Sequence, residues 1–125
     1  MTRNIVLGLL ASLVGTVAFA EGDPTAGQRV FNKCKSCHQI GEDAQNRVGP
    51  QLKQIIGRQP GTLEDFRYSD DMIALGESGE IWNEDTLTQF LTKPRDFVAG
   101  TTMSFPGLRR PEDIENLLAY LTSLE

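Results

Sequence analysis

Apolar positions along this chain recur at helical spacing, and no stretch gives a convincing strand pattern. Ile114, Leu117, Leu118, Leu121 and Leu124 fall at i, i+3, i+4, i+7 and i+10 behind Pro111. That stripe predicts a terminal helix packed along one face on the core. Asp23-Pro24 has the N-cap and first-position pattern of another helix, running into Cys34 with Ala26, Val30 and Phe31 on one side. Gln51 to Ile56 reads as a short helix closed by Gly57, and Ser69 as the cap of a turn or two that carries Asp70 and Asp71 and ends at Gly76. Asn83 caps the next helix, with Glu84 and Asp85 in its first turn and Pro94 beyond its end. Trp82 and Leu87 are spaced for a hydrophobic staple across that cap. The expectation is an all-α domain of four to five helices. Its long connections, rich in Gly and Pro, suit a chain that wraps a flat apolar group rather than itself.

The first twenty residues follow different rules. Arg3 supplies a positive start, Ile5 to Val17 is a 13-residue run of apolar and small residues, and Ala18-Phe19-Ala20 offers an A-x-A cleavage site. Residues 1–20 are therefore expected to be a cleaved signal peptide, and 21–125 the working domain. The run is short for a membrane anchor, with Gly8 and Gly15 inside it. Export to the periplasm follows. No repeat or linker divides the remainder, so one domain suffices.

The net formal charge is −5, becoming −6 once Arg3 leaves with the leader. An acidic balance argues against nucleic acid or anionic lipid as partners. It does not say where the basic residues sit.

Cys34-Lys35-Ser36-Cys37-His38 contains both cysteines and the only histidine of the chain. C-x-x-C-H is the pattern of covalent haem attachment. Two thiols so spaced can reach two vinyl groups on neighbouring pyrroles, and the next residue can offer an imidazole to the iron. A structural zinc site would need a fourth Cys or His, and a dithiol redox pair would need a βαβ setting. A plain disulfide leaves the adjacent histidine unexplained. With no second histidine, a methionine thioether is the natural ligand for the other face of the iron. Met1 goes with the leader, leaving Met72 and Met103. Met103 lies in Gly100-Thr101-Thr102-Met103-Ser104-Phe105-Pro106-Gly107, a loop able to bring a side chain to iron. Met72 sits in a short predicted helix, where a packing role is the plainer reading.

These motifs occur in one order with Gly49-Pro50-Gln51-Leu52, Ile56-Gly57-Arg58, Phe66-Arg67-Tyr68-Ser69, Trp82, Lys93-Pro94 and Leu118-Ala119-Tyr120-Leu121. Over essentially the whole of 21–125 the chain resembles class I c-type cytochromes of the small bacterial periplasmic kind, similar to mitochondrial cytochrome c. The resemblance implies the cytochrome c fold around one haem c, attached through Cys34 and Cys37, with His38 and Met103 on the iron. It implies that Pro50 accepts a hydrogen bond from His38, that Pro94 packs beside Met103, and that Arg58, Tyr68 and Trp82 hydrogen-bond a haem propionate. It also implies that Gly27 and Phe31 meet Leu117 and Tyr120 where the terminal helices cross.

Three departures bear on the Met103 side. Phe90 stands where many relatives have tyrosine, and Met72 near a position often held by asparagine. Thr102 and Asp96 replace lysines that can displace the methionine at alkaline pH, leaving Lys93 as the nearest candidate. A more apolar distal side and an altered alkaline transition are expected.

Closed six-coordinate iron suits electron transfer rather than substrate chemistry. The resemblance implies a soluble, monomeric one-electron carrier between a cytochrome bc-type complex and a photosynthetic reaction centre or terminal oxidase. Arg29, Lys33, Arg47, Arg95, Arg109 and Arg110 match positions that ring the haem edge in relatives, with Lys35 and Lys93 nearby and Phe105 as an apolar contact. They would form a basic docking face for redox protein partners, with membranes met only through partner complexes. The alternative is a dedicated electron-donor subunit of a periplasmic redox enzyme.

Overall fold

The computed structural model describes residues 22–125, together with Gly8 and Leu10. The predicted leader, residues 1–20, lies otherwise outside the described residues. Five helices and no strand are present among the described residues: α1 (Pro24–Phe31), α2 (Asp70–Glu77), α3 (Glu84–Thr92), α4 (Pro94–Phe97) and α5 (Pro111–Ser123). None of the described helices is long and apolar enough to cross a membrane.

The helix starts are set by local chemistry. The Asp23 carboxylate accepts from Thr25 N at 2.9 Å, with Pro24 in the first helical position. Asn83 and Thr86 form a reciprocal box, each side chain bonded to the other's backbone N–H at 2.9 Å. Trp82 and Leu87, on either side of that cap, are both buried in the core.

α1 and α5 form the main helix–helix contact of the molecule. At the crossing Gly27 faces the Asn116 carbonyl, and an added Cβ would overlap it and come within 2.8 Å of Tyr120 Cβ. Only glycine lets the backbones approach so closely. Phe31 packs on Tyr120 with ring centroids 5.7 Å apart, and Asn116 Oδ1 accepts from Asp23 N at 2.8 Å. Ile114, Leu117, Leu118 and Leu121 bury the predicted stripe of α5.

Four expectations need correction. Leu124 lies past the end of α5 and is 45% exposed, so the stripe stops at Leu121. α1 ends at Phe31 rather than at Cys34, and the chain continues in hydrogen-bonded turns to His38. Pro94 does follow the end of α3, but it also opens the one-turn α4, which the pattern did not predict. Gln51 to Ile56 forms turns and not a helix, because Gln54 takes φ 49°. A single left-handed residue of this kind breaks the helical ladder. In these turns the carbonyls of Gln51 and Lys53 both accept from the Arg58 guanidinium.

Candidate haem-binding site

A cleft of about 300 Å³ opens between the turn after α1, the loops on either side of α2, α3, and the loop between α4 and α5. All eight residues expected to contact a haem line it: Cys34, Cys37, His38, Pro50, Arg58, Tyr68, Trp82 and Met103. Met72 lines it as well, so both methionines left open by spacing face the same space.

The turns following α1 set the thiols and the imidazole. Cys37 N and His38 N both donate to Cys34 O, at 3.1 and 2.9 Å, which places Cys34, Cys37 and His38 on one side of the chain. Both thiols are free and half-buried. Burial pushes the Cys34 thiol up from its ordinary value, with Lys33 pulling it back. His38 Nδ1 lies 2.7 Å from Pro50 O. A carbonyl can only accept, so Nδ1 carries the proton and Nε2 keeps its lone pair for a metal. Burial pulls the His38 imidazole below its ordinary value, opposed by the Pro50 bond, which favours the neutral ligand form. Gly49 lies against the ring: a Cβ there would stand 2.7 Å from Nδ1 and 2.8 Å from Nε2. Spacing alone gave Gly49 no role, since the demand for a missing side chain comes from a residue eleven positions away.

Arg58 reaches inward from the turns. Its guanidinium donates to Gln51 O at 2.8 Å, to Gln51 Oε1 at 3.2 Å, and to Lys53 O. Burial pulls Arg58 below its ordinary value, with Tyr68 and Glu125 acting in the opposite direction. Three of its five N–H groups are thus used, and two remain for a ligand. Tyr68 Oη accepts from Leu63 N at 3.3 Å, which leaves its own proton to donate. Trp82, 5% exposed, stacks obliquely on Phe90 at 5.2 Å in the apolar wall.

The Met103 loop is anchored at its two ends by Val98 and Leu108, which are 2% and 3% exposed. Between them Thr101 Oγ1 accepts from Met103 N at 3.2 Å. Pro94 is among the most fully buried side chains of the described chain. Arg29, Lys33, Arg47, Arg95, Arg109 and Arg110 are all exposed, and of these Lys33 lines the cleft. Arg110 is paired with Glu112 at 3.0 Å, and Lys93 with Asp96 at 3.9 Å. Phe105 is half-buried against the core and lines the cleft.

The cytochrome c family profile matches residues 24–125. Cytochrome c2 of Afifella marina is 45% identical over 80% of this chain and 81% of its own length. Cytochrome c-551 of Roseobacter denitrificans is 46% identical over 99% of this chain and 96% of its own. The solved structure of cytochrome c2 from Rhodospirillum centenum superposes with a TM-score of 0.76 at 37% identity, covering 82% of this chain and 98% of that one. The chain belongs to the cytochrome c family. As a class I bacterial cytochrome c it carries covalent haem c with its iron, and it is an electron-transfer protein rather than an enzyme. The residues present fit that group. Two unpaired thiols, an imidazole with a free Nε2 and two thioethers converge on one apolar cleft, with cationic and hydroxyl donors along its wall.

Proposed function

We propose that this cytochrome c is a soluble, monomeric periplasmic carrier of single electrons. Cys34 and Cys37 would hold the haem by thioethers, His38 Nε2 and Met103 would ligate the iron, and Arg58, Tyr68 and Trp82 would donate to a haem carboxylate. The observation that carries this reading is the convergence of all these side chains on one cleft, with His38 held by Pro50 in the tautomer a metal requires. Met103 is preferred to Met72 because it stands in a loop, whereas Met72 sits within the first turn of α2, its N–H bonded to Ser69 Oγ at 3.1 Å. When bound, the haem supplies a reversible one-electron couple. The protein's own part would be to hold the iron through His38 and Met103, exclude water and neutralise buried carboxylate charge.

The proposed route runs from a cytochrome bc-type complex to a photosynthetic reaction centre or a terminal oxidase. The exposed Arg29, Lys33, Arg47, Arg95 and Arg109 would form the docking face, with Arg110 contributing less because Glu112 already neutralises it. A redox-titrated visible and near-infrared spectrum of the exported protein tests the site. Low-spin covalent haem with a thioether ligand is expected. High-spin haem that readily binds cyanide at neutral pH would sink the reading. Electron transfer to an acidic partner should slow as salt rises, and a rate indifferent to salt would remove the docking face.

A further inference from the structure

The loop before Pro50 contains a side chain that the haem motifs leave unassigned. Asn46 is half-buried, and its Oδ1 accepts from Gln51 N at 2.8 Å while its Nδ2 donates to Asp65 O at 3.3 Å. This amide orientation is dictated by its neighbours, because a backbone N–H can only donate and a carbonyl can only accept. Gln51 N and Pro50 O belong to one peptide unit, and Pro50 O is the acceptor for His38 Nδ1 at 2.7 Å. The bonds therefore run head to tail, from the imidazole N–H through the Pro50–Gln51 peptide to the Asn46 amide and on to Asp65.

A planar, conjugated amide transmits polarisation from one end to the other. When Asn46 Oδ1 draws on the Gln51 N–H, electron density moves to Pro50 O, which becomes a stronger acceptor. A stronger acceptor at Nδ1 makes the imidazole more electron-rich at Nε2, the atom that would meet the metal. We propose that Asn46 is a positioning residue that tunes His38 through the Pro50–Gln51 peptide, favouring the oxidised state of the carrier. This rests on the reading of His38 as the axial ligand.

Two variants of the haem-loaded protein separate this role from mere loop tethering. Asn46→Ala and Asn46→Asp both lose the Nδ2 donor to Asp65, but only the aspartate keeps an oxygen for Gln51 N–H. In the alanine variant the His38 Nδ1–H resonance of the ferrous protein should move upfield, the midpoint potential should rise, and Gln51 amide exchange should quicken by about tenfold. In the aspartate variant the Nδ1–H resonance should move downfield, the potential should fall, and the amide should stay slow. The proton resonance matters most, because a distant charge alone can move a potential. If both variants move it in the same direction, or neither moves it, the proposal is overturned. Failure of the ligand reading looks different: the His38 ring of the unmodified ferrous protein would then titrate freely.

Discussion

The two walls of the cleft are built by opposite means. On the His38 side, long-range hydrogen bonds tie the segment to the loop that follows it: Gly49 N to Cys37 O at 2.8 Å, Leu52 N to Gln39 O at 2.9 Å, and His38 Nδ1 to Pro50 O at 2.7 Å. On the Met103 side, the N–H groups of Thr101, Met103 and Phe105 bond only to residues two or three positions away. That loop is held at its buried ends, Val98 and Leu108, with one long-range bond from Leu108 N to Leu91 O at 2.8 Å, and otherwise by apolar packing of its neighbours. The imidazole is therefore oriented before any metal arrives, whereas the thioether depends on a loop that can shift. On the proposed ligation, this arrangement would keep reorganisation small at His38 and leave the weaker bond at Met103.

The largest effect should come from filling the space behind the imidazole. Gly49→Ala would drive a methyl group into the His38 ring, and neither the ring nor the thrice-bonded loop can retreat. A loss of roughly 3 kcal/mol is expected in denaturant unfolding of the haem-loaded protein, the upper part of the overpacking range. An unchanged midpoint would mean the His38 wall is not rigid. Met103→Ala should cost less, about 2 kcal/mol, because the side chain is only half-buried and its loop can relax. It should nevertheless turn the ferric spectrum high-spin. If instead the spectrum stays low-spin with a thioether signature, Met72 has taken the position.

How far the sequence revealed this contrast depends on how local each cause is. α3 and α5 were readable because a cap, a first-turn charge or a leucine stripe acts within a few residues. Gln51–Ile56 was misread as helix because periodicity sees neither the left-handed Gln54 nor the Arg58 guanidinium to which the Gln51 and Lys53 carbonyls turn. Leu124 was misread because periodicity cannot see where the partner surface stops. The C-x-x-C-H spacing made its own chemistry legible. Met103 needed the argument from a missing second histidine. Asn46 was silent, and Gly49 entered only as part of a family motif with no role of its own, since each serves a ring or a peptide that only the fold brings near.

A smaller effect is expected from restoring a hydroxyl to the Met103 side. Phe90 is 8% exposed and packs against Trp82 and Phe97 at 5.2 and 6.4 Å, an apolar surrounding for its ring. Phe90→Tyr places an O–H there. Without a partner it should destabilise by about 1 kcal/mol in denaturant unfolding of the haem-loaded protein. A stability gain would mean that an acceptor such as a bound water already waits beside Met103, and that this wall is less apolar than its lining implies.

The smallest effect is a slope at high pH, and it comes from the donors between the two walls. Burial raises the Tyr68 phenol above its ordinary value, with the Leu63 N–H and Arg58 pulling back. The folded protein thus holds the phenolic proton more tightly than the unfolded chain does. Stability tied to this group is fully present below the unfolded value of about 10, and is lost as pH rises through the folded value. Tyr68→Phe should therefore flatten the alkaline end of the stability curve while leaving the neutral plateau almost unchanged. Denaturant midpoints between neutrality and the alkaline limit would measure it, paired with ferric spectra to separate this slope from ligand exchange at Met103. Identical alkaline slopes in the two proteins would assign the decline to the Met103 wall alone, where Lys93 is already engaged by Asp96 at 3.9 Å.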